Sequence, residues 1–199
     1  MDAIPGDDTR EVAGRIALAH QEVRLIIRKG RQGVGTAVRA GIGAASGEAI
    51  LILMGDAAER GTDVVTVARK MQEGYDIVVG NRFVKNHRIA GYPALKHCAN
   101  RLCNLAVRLL FGIPTSDVTN AFKAYSSKAV RRLDLKSSGY SIFLELPMKA
   151  YLSGGQQLVE VPVSHTVIPK RHGLRILRDG IPYFAVVVGL ILCRERSKR

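Results

Sequence analysis

The amino-acid sequence predicts an α/β fold on a mainly parallel sheet, and three observations carry that expectation. Apolar segments such as AILILM at residues 49–54 are too uniformly hydrophobic for a sheet with one wet face. They alternate with helical stretches of about 10 to 15 residues, which is the rhythm of βαβ units. At 199 residues, 47% apolar and 24% charged, the chain can bury one sizeable core and has the composition of neither a disordered segment nor a multi-span membrane protein.

The elements follow in order. Asp8 or Thr9 can cap a helix that carries Val12, Ile16 and Ala17 on one face, and residues 23–27 read as a short buried strand. A glycine-rich start at Gly33 and Gly35 leads into a helix ending at Ala45, followed by the strand at 49–54. A helix over 63–73 and a strand over 76–80 repeat the unit. Residues 81–91 form a polar, basic connection, after which Pro93 opens a long helix reaching Phe111. A strand at 121–125, helices near 128–133 and 143–152, and a strand at 156–163 complete the α/β body. There are no repeats and no low-complexity linker.

The last apolar segment, IPYFAVVVGLILC at residues 181–193, would extend about 20 Å as a helix, short of the roughly 30 Å of a bilayer core. Basic residues on both sides and Tyr183 and Phe184 near one end suit a membrane-interface helix; packing against its own domain or a partner helix is the alternative.

Charge and cysteines narrow the setting. The 30 Lys+Arg against 17 Asp+Glu give a formal charge of +13, which favours a polyanionic partner. Lys170, Arg171, Arg175 and Arg178 before the apolar segment, and Arg194, Arg196, Lys198 and Arg199 after it, favour a membrane surface over nucleic acid. Aromatic residues are too few for a base-stacking surface. Cys98, Cys103 and Cys193 form neither a C-x-x-C pair nor an even framework, which points to a reducing, cytoplasmic setting. Residues 1–10 are polar and acidic, unlike a signal peptide.

Ligands of open parallel sheets bind beyond the carboxyl ends of strands. Asp56 follows the AILILM strand and Glu59 lies three residues on, so a turn would bring two carboxylates to one Mg²⁺ or Mn²⁺ ion, with a diphosphate supplying further oxygens. An acid after a strand is more often a helix cap. After the next strand comes Gly80-Asn81-Arg82, whose guanidinium has the fork to hold a phosphate, although most surface arginines are simply solvated.

Read together, VVGNRFVKN, GYPALKHCANRL, RLLFGIPTSDVTNAFKAY and GYSIFLELPMKAYLSGGQQLVEVPV resemble the family-2 polyprenyl-phosphate glycosyltransferases of the dolichol-phosphate mannose synthase type. Their pattern has a G-S/N-R after a strand, an R/K-x-x-x-S/N helix start, a D-x-T-x-x-F strand, an L-E helix and an E-V-P strand. Upstream, RKGRQGVGTAVRAGIGAASGEAILILMGD resembles the family's glycine-rich segment and metal-binding strand end. The resemblance implies a GT-A (nucleotide-diphospho-sugar transferase, Rossmann-like) fold over residues 1–168, lacking its first strand or strands, followed by a basic C-terminal segment over 169–199 with an amphipathic or apolar helix.

Carried over by position, the resemblance makes Asp56 the leading acid of the metal motif, with Glu59 beside it. Ala58 stands where many relatives have a second Asp, and the spacing of related D-G-S-D forms points to Glu59. Arg82 matches an arginine that contacts phosphate near the reacting centre. Lys96 and Asn100 match a pair that holds the lipid phosphate, and Asp117 an acid near the sugar or acceptor site, with capping of the turn before its strand as the other role. Lys170, Arg171 and Arg175 supply the charge of a late phosphate-binding element whose spacing is altered; His172 reads as a surface residue. The implied activity is transfer of a sugar, mannose foremost, from a nucleotide-sugar (GDP-mannose or a UDP-sugar) to polyprenyl phosphate on the cytoplasmic face of a membrane. The alternative is a truncated, inactive relative that binds lipid phosphate or a full-length partner.

Overall fold

A computed structural model of the chain describes residues 8–30, 33–56, 59–84, 94–154, 157–163 and 176–196. The elements are α1 (Thr9–Ala19), α2 (Val34–Ala44), β1 (Ala49–Ile52), α3 (Gly61–Gln72), β2 (Ile77–Asn81), α4 (Ala94–Phe111), β3 (Lys123–Ser126), α5 (Ser127–Val130), α6 (Ile142–Leu152), β4 (Leu158–Pro162) and α7 (Ile176–Arg196).

The four strands form one mixed sheet in the order β1-β3-β2-β4. β2 and β4 pair in parallel, while β3 lies antiparallel between β1 and β2. β1, β2 and β4 therefore all point the same way, as the βαβ rhythm predicts, and β3 is the exception. Its direction places Lys123, at its start, beside the carboxyl ends of its neighbours, because Lys123 pairs with Ile52 of β1 and Val79 of β2.

β2 is buried at every position. Its alternating side chains divide between two layers: Ile77 and Val79 join Ile50, Tyr125, Ile142, Phe143 and Leu146 against α2 and α6, while Val78 packs with Val67, Phe122, Ala124 and Val161 against α3. That two-sided burial is why the strand reads as an unbroken apolar run. α6 is apolar around its circumference and correspondingly buried from Ile142 to Met148. A third cluster joins α4, α6 and α7 through Val107, Phe111, Leu144, Met148 and Leu190.

Gly33 and Gly35 are required by close approach. Gly33 has φ +141°, and a Cβ on Gly35 would lie 2.4 Å from the Ser137 carbonyl oxygen. The Gly35 N–H donates to Ser138 O at 2.9 Å. Glu145 of α6 holds the other side of that loop, accepting from the Lys136 and Ser137 N–H groups at 2.9 and 2.7 Å.

Two expectations are corrected. Residues 23–27 do not form a strand: no described strand lies alongside to complete a ladder, and Val23, Ile26 and Ile27 are exposed. The segment is held by Arg24 donating to Ala44 O at 2.6 Å and Arg28 donating to Thr36 Oγ1 at 2.5 Å. The helix expected at 128–133 is the single turn α5, and Arg131 to Leu133 continue as turn and irregular backbone.

Candidate functional site

The carboxyl ends of β2 and β4 meet the segment that enters β3, and the polar residues collect there. Arg82, directly after β2, donates its backbone N–H, Nε and Nη2 to the Asp117 carboxylate at 3.0, 2.8 and 2.7 Å. The Asp117 side chain is fully buried and that of Arg82 is 9% exposed. Sequence reasoning selected both residues but did not pair them. The fork that matches a phosphate is here closed on a carboxylate, which fixes the guanidinium plane. The Arg82 and Arg101 guanidinium carbons each lie 5.2 Å from the centre of the Phe83 ring, which His97 meets edge-on at 5.4 Å. Phe83 thereby gathers cations from β2 and α4 at one place.

Asn100 faces the same segment from α4. Its Oδ1 accepts from Thr119 Oγ1 and from Asn104 Nδ2, both at 2.7 Å, and Asn104 Oδ1 accepts from the Val118 N–H at 2.6 Å. The Asn100 carbonyl side thus anchors α4 to the residues that follow Asp117. The side chain of Lys96, and all of Lys170, Arg171, His172 and Arg175, lie outside the described residues.

Asp56 and Glu59 sit after β1, whose carboxyl end is on the same side of the sheet as that of β2. Burial pushes the Glu59 carboxyl up, a backbone hydrogen bond opposes that, and the charges of Asp56 and Asp63 add to it. A desolvated carboxylate raised further by a neighbouring one is an arrangement that a divalent cation relieves, and all-oxygen donors suit Mg²⁺ or Mn²⁺. No group of three or more His, Cys, Asp or Glu side chains that could hold a metal occurs among the described residues. The residues fit an ion that draws its remaining ligands from a diphosphate and water.

Two site residues were missed. Lys123 is fully buried beside the Arg82–Asp117 pair, its Nζ donating to Asn120 O and, at 3.3 Å, to Phe143 O. Pro147 lies four residues beyond Phe143 within α6 and has no N–H to donate to that carbonyl, so the lysine can take it. Burial lowers the Lys123 pKa to about 7, against Asp117, which raises it, while Arg82 lowers it further. A lysine between the apolar residues of NAFKAY and a proline within an apolar helix were the available signals. Glu160 of β4 is the second: it accepts from Thr115, Ser116 and Asn81.

The profile of the family described as Glycosyl transferase family 2 matches residues 4–134. The chain belongs to glycosyl transferase family 2. Among curated proteins, the chain is 27% identical over 167 residues to the polyprenol monophosphomannose synthase of Mycolicibacterium smegmatis, covering 80% of this chain and 63% of that protein. It is 29% identical over 185 residues to glycosyltransferase AglJ of Haloferax volcanii, covering 90% and 58%. The chain thus spans about three fifths of the length of these relatives. Glucosyl-3-phosphoglycerate synthase from Mycobacterium tuberculosis, solved with Mn²⁺ and UDP-glucose, superposes with a TM-score of 0.63 at 20% identity, covering 96% of this chain and 65% of that one. That likeness establishes the GT-A glycosyltransferase fold.

Proposed function

We propose that the protein transfers a sugar, mannose foremost, from GDP-mannose or a UDP-sugar to a polyprenyl phosphate. The observation that carries this reading is that two carboxylates, Asp56 and Glu59, follow β1 and the Arg82–Asp117 pair lies at the end of β2, the two strands running the same way on either side of β3. Family membership and the name of the M. smegmatis relative support the reaction class and the acceptor.

Asp56 and Glu59 would hold a Mg²⁺ or Mn²⁺ ion, which when bound neutralises charge developing on the departing nucleotide diphosphate. An oxygen of the acceptor phosphate forms a bond to the anomeric carbon as the bond from that carbon to the diphosphate breaks, and the family pattern implies inversion. The attacking phosphate is already ionised, so no side chain has to remove a proton from it. Arg82, fixed in orientation by Asp117, and Arg101 place positive charge where an acceptor phosphate would sit. Lys96, Asn100, Lys170, Arg171 and Arg175 complete the proposed acceptor side.

The acceptor implies a membrane. α4 exposes Leu95, Leu102, Leu105 and Leu109 on the face opposite its buried Val107 and Phe111, and α7 exposes Ile181, Phe184 and Leu192 while burying Leu190. No helix among the described residues is long and apolar enough to cross a membrane. These faces support peripheral association with a membrane, which the proposed reading places on the cytoplasmic side.

One observation favours a second reading. Residues 23–28, α1 and α2 line an open apolar groove of about 340 Å³ through Ile16, Val23, Leu25, Ile26 and Ala37. An apolar groove with the Arg24 and Arg28 cations on its lining suits a family-2 module that binds lipid phosphate without donor chemistry, or one that works with a full-length partner. The deciding test is transfer of radiolabelled sugar from GDP-mannose, then from UDP-glucose, to polyprenyl phosphate with Mn²⁺. Transfer that Asp56→Ala reduces at least 100-fold supports the synthase; no transfer with lipid phosphate still bound supports the module.

A further inference from the structure

We infer that Glu160 is a positioning residue for the proposed transfer, setting the relative placement of Arg82 and Asp117. The inference rests on the reading of that pair given above. Glu160 Oε1 accepts from Thr115 Oγ1 and from the Ser116 N–H, each at 2.5 Å, and Oε2 accepts from Asn81 Nδ2 at 2.8 Å. Ser116 Oγ lies 3.4 Å from both carboxylate oxygens and accepts from Asn81 Nδ2 at 2.6 Å.

These partners flank the pair. Asn81 immediately precedes Arg82 at the end of β2, and Thr115 and Ser116 immediately precede Asp117. Thr115 Oγ1 in turn accepts from the Asp117 N–H at 3.2 Å, and Asn81 Oδ1 accepts from the Phe83 N–H at 2.7 Å. One carboxylate on β4 therefore ties the strand that carries Arg82 to the loop that carries Asp117. The groups that donate to it here are neutral, and no described ion pair includes it. Only an acceptor-only side chain satisfies that set of donors, which is why glutamate rather than glutamine is needed.

Glu160→Gln keeps the shape and places an NH₂ group against donors whichever way the amide turns. The expected result is a kcat lower by on the order of 100-fold with the nucleotide-sugar KM unchanged. The double variant Glu160→Gln/Asn81→Asp supplies an acceptor to the new amide and is expected to recover at least tenfold of that loss. Amide hydrogen exchange at Ser116 and Asp117 should accelerate in Glu160→Gln and slow again in the double variant. A kcat within twofold of wild type, or a double variant no better than the single one, overturns the inference. If Glu160→Gln does not fold, Glu160→Asp keeps the charge but withdraws the carboxylate by one methylene; about tenfold lower kcat with the nucleotide-sugar KM unchanged supports the role, and an unchanged kcat overturns it. If the wild-type chain transfers no sugar, it is the proposed function that fails, and the exchange measurement still decides the clamp: unchanged exchange in Glu160→Gln overturns it.

Discussion

Lys123 shows how a single buried charge couples stability to the site. Its unfolded pKa is near 10.5 and its folded pKa about 7, so between those values the unfolded chain holds the extra proton and stability rises with pH. Below pH 7 both states are protonated and the full cost of burying the cation is present. Urea titrations of wild type and Lys123→Met between pH 7 and 10 should show a positive slope of stability with pH that the variant lacks; equal slopes would mean that the lysine stays charged. The Arg82–Asp117 pair obeys a different rule, because removing one member leaves the other charge buried. Asp117→Ala should cost about 3–5 kcal/mol in denaturant melts, and Arg82→Ala/Asp117→Ala should cost less than the sum of the two single changes. The places of Asp56, Glu59 and Arg82 after strands, and of Asp117 before one, were legible in the sequence. Lys123 and Glu160 were not, since their roles come from a carbonyl released by Pro147 and from donors in a loop 44 residues or more away.

At the scale of elements, the glycine-rich entry to α2 illustrates a local sequence serving a distant contact. Gly35 donates to Ser138 O and leaves no room for a Cβ against the Ser137 carbonyl. Gly35→Ala should therefore destabilise the fold by about 1–3 kcal/mol, measured by chemical denaturation, although alanine is the better helix former. The loop it meets is held by Glu145. Burial pushes that carboxyl up, but hydrogen bonds from Lys149, Ser137 and Lys136 outweigh it and leave the pKa below the usual value of 4.5. The stabilisation from Glu145 is thus present above pH 4.5 and fades as the pH falls through its lowered folded value. Strands β1, β2 and β4 and helices α2, α3, α4 and α6 were readable from apolar period and glycine or proline punctuation. Residues 23–27 were misread because a strand is a pairing: apolar composition supplies the side chains but not the neighbour.

For the whole molecule, the exposed leucine face of α4, the exposed face of α7 and the +13 charge point the same way. Vesicles containing anionic phosphatidylglycerol should co-sediment the protein at low salt and release it progressively as salt is raised. Leu109→Glu and Phe184→Glu should each weaken that binding without lowering the melting temperature, because both side chains are more than 70% exposed. Binding indifferent to both substitutions would place the membrane contact elsewhere.

The sequence by itself determined the fold class, the direction shared by β1, β2 and β4, and the residues at their carboxyl ends, because burial on both faces and βαβ connection leave a periodic trace along the chain. Only the tertiary structure decided that β3 runs against its neighbours between β1 and β2. The same holds for the pairing of Arg82 with Asp117, for the burial of Lys123 beside them, and for Glu160 linking the strand of the one to the loop of the other. Most of those contacts join residues far apart in the chain, and their energies depend on distance and desolvation in the folded state, quantities that no local pattern encodes.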